Sequence, residues 1–237
     1  MRLEPSHKSE MTNQLLFGER CRVLQRQENF WEVEAEFDGY RGWVVGDQFA
    51  ECQEAGVEET VLVDELLATA VSERRILHLP LGAVLEMDPA GGYRMNGERF
   101  QCDAAMRKAG GLIDVEKLLE YGRRYLETPY QWGGRTPWGI DCSGLTQMVF
   151  RAFGVALLRD STQQITQGEA VEKFEELKPG DLAFFVGVGH HVGIVCGGGE
   201  ILHSSGRVRI DKLDAEGIWN STTGENTHRL TGMRRII

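Results

Sequence analysis

The order of elements in this chain of 237 residues predicts an α+β domain over residues 111–237, preceded by small β-barrels over 1–55 and 56–110. Three observations carry that reading. Short alternating strands punctuated by turn residues fill the first half of the chain. Helical periodicity appears only between about residue 113 and residue 168, and strand signals joined by tight turns take over from Leu182.

Residues 1 to about 10 are polar and read as an arm. Strands are expected at 14–19, 21–24, 31–35 and 42–44, with an Asp38-Gly39 turn before the last of them. Further possible strands at 61–70 and 75–85, and a turn at 88–93, predict a second, divergent barrel. His78 lies in an apolar run there and is expected to be a packed core histidine rather than a ligand. Val115, Leu118, Leu119, Gly122 and Tyr125 then recur on one helical face, with Asp114 placed to cap it.

Residues 128–140 are loop, with two prolines and two tryptophans among glycines. At Asp141 the character changes. Leu145, Met148, Val149, Ala152 and Phe153 fall on one face of a second helix, Gly154 supplies its stop, and Asp141 is a good N-cap. Cys142 therefore sits in the first helical turn. Unpaired amide N–H groups and the positive end of the helix dipole favour a thiolate there, the nucleophilic form of cysteine. The plainer reading, a small buried cysteine, leaves so elaborate a preceding loop unexplained.

A nucleophile needs a base, and the base an orienting group. Residues 189–196 and 200–205 are strand-like and joined by Gly197-Gly198-Gly199, a hairpin that brings His191 and His203 together. Val192, Ile194 and Cys196 form an apolar set, which places His191 with Gly193 on the face toward the helix and His190 away from it. The glycine is expected to let the strand approach the helix closely. A closing edge strand is expected at 233–237.

A helix-start cysteine beside two histidines on an antiparallel pair is a papain-like arrangement. Tyr130-x-Trp132-Gly133-Gly134, Gly139-Ile140-Asp141-Cys142-Ser143-Gly144, Arg159-Asp160-Ser161, Pro179-Gly180-Asp181, His191-Val192-Gly193-Ile194 and Ile201-Leu202-His203 together resemble the NlpC-type cell-wall cysteine peptidases, over about residues 115–237. Leu15-Leu16-Phe17-Gly18-Glu19 and Gly39-Tyr40-Arg41-Gly42-Trp43-Val44 resemble the bacterial SH3-type barrels that precede such domains; the bland reading of that barrel is a stabilising appendage. The resemblance implies amide hydrolysis through an acyl-enzyme, with Cys142 as nucleophile, His191 as base and His203 as orienter. The Cys142 amide and Tyr130 would stabilise the oxyanion. It implies as substrate a murein stem peptide cut between γ-D-glutamate and a diamino acid. Trp132, Asp141, Ser143, Asp160 and Ser161 would hold the L-alanyl-γ-D-glutamyl part, and Glu19 and Tyr40 the free alanine amine. Each also has a dull reading: Asp160-Ser161 as a helix cap, Glu19 as a turn residue, Tyr40 as barrel core.

Composition narrows the partners. The formal charge of −10 argues against nucleic acid and anionic membranes. Five cysteines (Cys21, Cys52, Cys102, Cys142 and Cys196) are odd in number and contain no CxxC pair, so a reduced compartment is expected. The N-terminus lacks the apolar run of a signal peptide and no membrane-spanning stretch exists, so a cytoplasmic monomer without cofactor or metal is expected. Two other classes stay open. Cys142, His191 and His203 are plausible metal ligands, and the chain could be a wall-binding module without activity. Stem-peptide cleavage abolished by a thiol alkylator but not by a chelator separates all three.

Overall fold

The computed structural model describes residues 1–51, 59–187, 189–220 and 223–237. Cys52 and the expected boundary at 55/56 lie outside the described residues. The chain divides into two compact units, Met1–Ala109 and Gly110–Ile237.

In the first unit, β1 (Cys21–Gln27), β2 (Phe30–Ala35) and β3 (Arg41–Val45) form a three-stranded antiparallel sheet. A second sheet contains β4 (Thr60–Val63), β5 (Leu67–Val71), β6 (Ile76–Pro80), β7 (Val84–Met87), β8 (Tyr93–Met95), β9 (Glu98–Cys102) and β10 (Met106–Arg107), in the order β10-β4-β7-β8-β9-β5-β6. Its core includes Val63, Ala70, Leu79, Leu85 and Phe100. The strand expected at 14–19 does not form. Gly18 turns the chain at φ +81°, the Glu19 carboxylate accepts the Leu16 N–H at 2.8 Å, and the Phe17 carbonyl accepts from Val84 N–H at 2.8 Å. Phe17 thereby joins the second core, edge-on to Phe100. His78 is also corrected: it lies exposed on the edge strand β6.

The second unit opens with α1 (Val115–Arg123), whose N-terminal amides are capped by Asp114. The hairpin of β11 (Arg135–Thr136) and β12 (Gly139–Ile140) leads into α2 (Cys142–Arg151), followed by the short α3 (Ser161–Gln164). Then come β13 (Glu169–Ala170), β14 (Leu182–Val186), β15 (His190–Gly197), β16 (Glu200–Ser205), β17 (Arg207–Leu213), β18 (Gly217–Asn220) and β19 (Glu225–Arg235). Strands β14 to β18 are neighbours in sequence order, and β19 pairs with both β14 and β18, which closes an antiparallel barrel. The expected edge strand at 233–237 is thus the end of a longer strand that seals the ring, with β13 paired outside it.

Register assigns the barrel's faces. Ala183, Phe185, Val195, Ile201, Leu213 and Ile218 pack as one cluster inside it. Because Phe185 pairs with His191 and Gly193 with His203, both histidines share that inner face. The helices lie outside. A Cβ on Gly122 of α1 would stand 2.7 Å from Leu202 Cδ2 and 3.4 Å from Val149 Cγ2 of α2. Leu202 pairs with Ile194, so Val192, Ile194 and Leu202 are the helix-facing set. This reverses the expected assignment: His191 and Gly193 point away from the helix body. Gly193 makes room for its strand neighbours instead, since a Cβ there would meet Ile201 Cδ1 at 2.8 Å and His203 Cβ at 3.0 Å.

Candidate active site

The loop before α2 is built by close backbone approach. A Cβ on Gly134 would stand 2.4 Å from the Gly139 carbonyl oxygen, and one on Gly144 would stand 2.3 Å from the Gly134 carbonyl oxygen. With those glycines in place, the loop folds onto the helix start and converges on Asp141. Asp141 Oδ1 accepts from Gly144 N–H at 2.6 Å and Arg159 Nη1 at 3.0 Å, and Oδ2 accepts from Gly133 N–H at 2.8 Å and Arg159 Nη2 at 2.6 Å. Ser143 Oγ lies 3.3 Å from Asp141 Oδ1 and accepts from Arg159 Nη1 at 2.9 Å. The Arg159 and Asp141 side chains are only 1% and 7% exposed. A carboxylate has about four lone-pair sites, and here they are filled from within. Through these bonds Asp141 and Ser143 fix the loop to the helix start.

Cys142 follows directly, buried, at the first position of α2. Its sulfur accepts the backbone N–H of Val192 and of Ser143. β15 and β16 pair only from Gly193 and His203 onward, so the Val192 amide lies beyond that pairing. Burial, followed by the Asp141 carboxylate, pushes the thiol from 9.0 up to about 12. That rise opposes ionisation by on the order of 4 kcal/mol, whereas a helix N-terminus favours an anion by about 0.3–1 kcal/mol. Desolvation wins. Burial thus works against the thiolate that helix position alone favours.

His191 is buried and His190 exposed. His191 Nε2 lies 2.9 Å from His203 Nδ1, and His203 Nε2 lies 3.1 Å from Asp211 Oδ2. Burial, with His203 and His228 beside it, holds His191 well below the ordinary imidazole value. That displacement favours the neutral ring at neutral pH. A neutral thiol and a neutral imidazole can exchange a proton as a carbonyl is attacked, without first resting as an ion pair.

Tyr130 is half-buried on the loop, and burial, then the nearby Cys142 and Asp141, raise its phenol above the ordinary value. It stays a hydrogen-bond donor near the sulfur. Trp132 is 59% exposed on the same loop. Asp160 caps α3 in a capping box with Gln163, and Ser161 begins that helix; both are half-buried. In the other unit, Glu19 precedes Cys21, which pairs with Ala35, and the Ala35 N–H donates to the Tyr40 carbonyl. Glu19 and Tyr40 thus sit at the same end of the small sheet.

Sequence reasoning missed Arg209, Asp211 and His228, and gave Arg159 no role of its own within its motif. Arg209 donates to Asp211 Oδ2 through Nε at 2.8 Å and to Oδ1 through Nη2 at 2.9 Å. The His228 ring lies 4.4 Å from that of His191, brought there by β19 closing the barrel. The signal for the first pair was present: Arg209 and Asp211 are alternate residues, so they share the face of their cross-strand neighbours His203 and Ile201. Among the described residues no cluster of histidine, cysteine and carboxylate groups is placed to hold a metal.

Comparison with known proteins matches residues 127–227 to the NlpC/P60 family and residues 1–49 to the bacterial dipeptidyl-peptidase Sh3 domain. The chain is 31% identical over 213 residues to the gamma-D-glutamyl-L-lysine dipeptidyl-peptidase of Bacillus subtilis, covering 81% of this chain and 71% of that one. It is 26% identical over 244 residues to dipeptidyl-peptidase 6 of Lysinibacillus sphaericus, covering 90% and 88% respectively. The crystal structure of an NlpC/P60 family protein from Bacillus cereus superposes with a TM-score of 0.81 at 26% identity, over 95% of this chain and 82% of that one. With a thiol at a helix start beside a buried histidine pair, behind an SH3-type domain, this chain belongs to the NlpC/P60 family of cysteine peptidases.

Proposed function

We propose that the chain hydrolyses the γ-D-glutamyl–diamino acid bond of murein stem peptides, starting from a free N-terminal L-alanine and releasing L-Ala-γ-D-Glu. The observation that carries this reading is Cys142 at the start of α2, its sulfur accepting the N–H of Val192, the residue after His191, with His191 bonded to His203 and the Tyr130 phenol near the sulfur. In it, Cys142 attacks the carbonyl carbon while its proton passes to His191, which then returns the proton to the leaving amine. The acyl-enzyme is hydrolysed by water activated at the same imidazole. The Cys142 amide N–H and the Tyr130 hydroxyl stabilise the oxyanion.

Specificity in this reading comes from outside the reacting atoms. Asp160 and Ser161 contact the peptide portion, and Trp132 packs over it. Glu19 and Tyr40 take the alanine ammonium, a charge-assisted contact of about 1.5–3 kcal/mol. Support comes from the match of residues 1–49 to a dipeptidyl-peptidase domain and from the dipeptidyl-peptidase names of two relatives. A peptide whose alanine nitrogen is an amide would offer Glu19 no ammonium.

Mass analysis of products from L-Ala-γ-D-Glu-L-Lys, its diaminopimelate counterpart and the N-acetylated forms tests the proposal. Free peptides should yield L-Ala-γ-D-Glu, and acetylation should suppress cleavage in wild type far more than in Glu19→Ala. Equal cleavage of free and acetylated peptides would remove the N-terminal reading and favour a hydrolase of intact murein. No cleavage at the γ-D-glutamyl bond would overturn the function.

A further inference from the structure

Beyond the cysteine and its two histidines, the barrel holds a second pair of charged groups with no part in the mechanism above. Asp211 is buried on β17, and its two oxygens face different tasks. Oδ2 lies 3.1 Å from His203 Nε2, and Arg209 grips both oxygens, at 2.8 Å to Oδ2 and 2.9 Å to Oδ1. Arg209 is itself tied by Nη2 to Asn220 Oδ1 at 2.8 Å. Hydrogen bonds from His203 and Arg209 hold the Asp211 carboxyl below the ordinary carboxylate range against the cost of its burial. Asp211 is thus a pure acceptor.

That fact propagates through two imidazoles. A carboxylate can only accept, so the proton of neutral His203 resides on Nε2 and its Nδ1 carries the lone pair. His203 Nδ1 then accepts the 2.9 Å bond from His191, which requires the proton of neutral His191 on Nε2. The remaining nitrogen, His191 Nδ1, is left with its lone pair free to take a proton. Reverse the first choice and every later one reverses, leaving His191 Nδ1 protonated and unable to act as a base. We infer that Asp211, clamped by Arg209, is a positioning residue that sets the tautomers of His203 and His191 so that Nδ1 of His191 is the basic atom presented to the thiol. The same carboxylate places a negative charge one imidazole away from the imidazolium that forms when the thiol proton moves.

The inference rests on the reading of Cys142 and His191 as nucleophile and base, but its direct test does not depend on turnover. Long-range proton–nitrogen correlation spectra of the full chain labelled with 15N-histidine report which ring nitrogen carries the proton. In wild type, His203 and His191 should each be protonated at Nε2 and bare at Nδ1. In Asp211→Ala, His203 should lose that single tautomer, and kcat should fall about 10²-fold with KM held within about twofold, the pattern of a lost base rather than lost binding. A wild-type His203 protonated at Nδ1 would overturn the inference, as would an Asp211→Ala enzyme with kcat within about threefold of wild type. Should Asp211→Ala fail to fold, the wild-type spectrum alone decides. Tautomers as stated in an enzyme that leaves every stem peptide intact would defeat the proposed substrate and not this inference.

Discussion

Two buried polar clusters flank Cys142, and they are wired in opposite ways. On the helix side, Asp141, Ser143, Arg159 and the loop amides form a closed set in which a full negative charge meets a full positive one at 2.6 Å. On the barrel side, Arg209 and Asp211 begin a series that runs outward through His203 to His191, and its last member is an uncharged ring. A closed set of paired charges has nothing left to give, so it fixes geometry. An open series ends in one unsatisfied lone pair, so it can accept a proton. At the thiol between them, burial and the Asp141 carboxylate both oppose the thiolate.

If this contrast is right, substitutions in the open series should strike turnover first, and substitutions in the closed set should strike stability first. Cys142→Ala has the largest expected effect: about 10⁴-fold or more in kcat, with the denaturation midpoint near that of wild type. His191→Ala should follow at about 10³-fold, within the range of general acid–base catalysis. His190→Ala should stay within about threefold of wild type, because that ring is exposed. Stem-peptide kinetics on the three variants decides this, and a dead His190→Ala would mean the neighbouring ring is the base.

Arg159→Ala probes the other cluster. It leaves the Asp141 carboxylate buried without its guanidinium, a change that typically costs about 3–5 kcal/mol. Urea denaturation followed by circular dichroism should show that loss, and a variant with wild-type stability would mean the closed set is not holding the helix start. The pH dependence separates the clusters again. His191 is displaced below the ordinary imidazole value, so the acid limb of kcat/KM should fall below about pH 6.5, where a free histidine would titrate. Cys142 is displaced upward to about 12, so its alkylation by iodoacetamide in the absence of substrate should accelerate only at alkaline pH. Fast alkylation at neutral pH would show that the resting pair is ionised.

The helices, and the residues proposed to react, could be picked out in the sequence because their signals are local. Asp114 and Asp141 cap the helices they precede, and the apolar period of 145–153 needs only one face to be buried. The faces of β15 were not legible, because a barrel with helices packed outside buries both. Val192 and Ile194 are covered by helices while Val195 faces the barrel core, so an alternating pattern cannot say which side is which. Long-range closure hid His228, which meets His191 only because β19 returns to pair with β14. The burial of Cys142 was hidden for a third reason: sequence reveals a helix start but not how dry it is.

Gly193 carries the smallest expected effect and sharpens the comparison most, because it lies across the strand from His203 in the open series and has no side chain of its own. Its φ is not in the left-handed region, so an alanine there is compatible with the backbone and the cost is purely one of space. The added methyl would lie 2.8 Å from Ile201 Cδ1 and 3.0 Å from His203 Cβ. Ile201 can turn its side chain, but His203 is held by His191 on one nitrogen and Asp211 on the other. Relief must therefore come from Ile201, at an overpacking cost of about 1–3 kcal/mol, or from His203, by stretching one of those bonds. The two outcomes are distinguishable. If Ile201 yields, Gly193→Ala loses stability and keeps kcat. If His203 yields, kcat falls about tenfold while KM stays constant, since the base is misaligned but the peptide site is untouched. The tethering of His203 at both nitrogens favours the first outcome, measured as a lower urea midpoint with unchanged turnover. A Gly193→Ala variant that loses turnover without losing stability would show that the histidine series is softer than its hydrogen bonds imply.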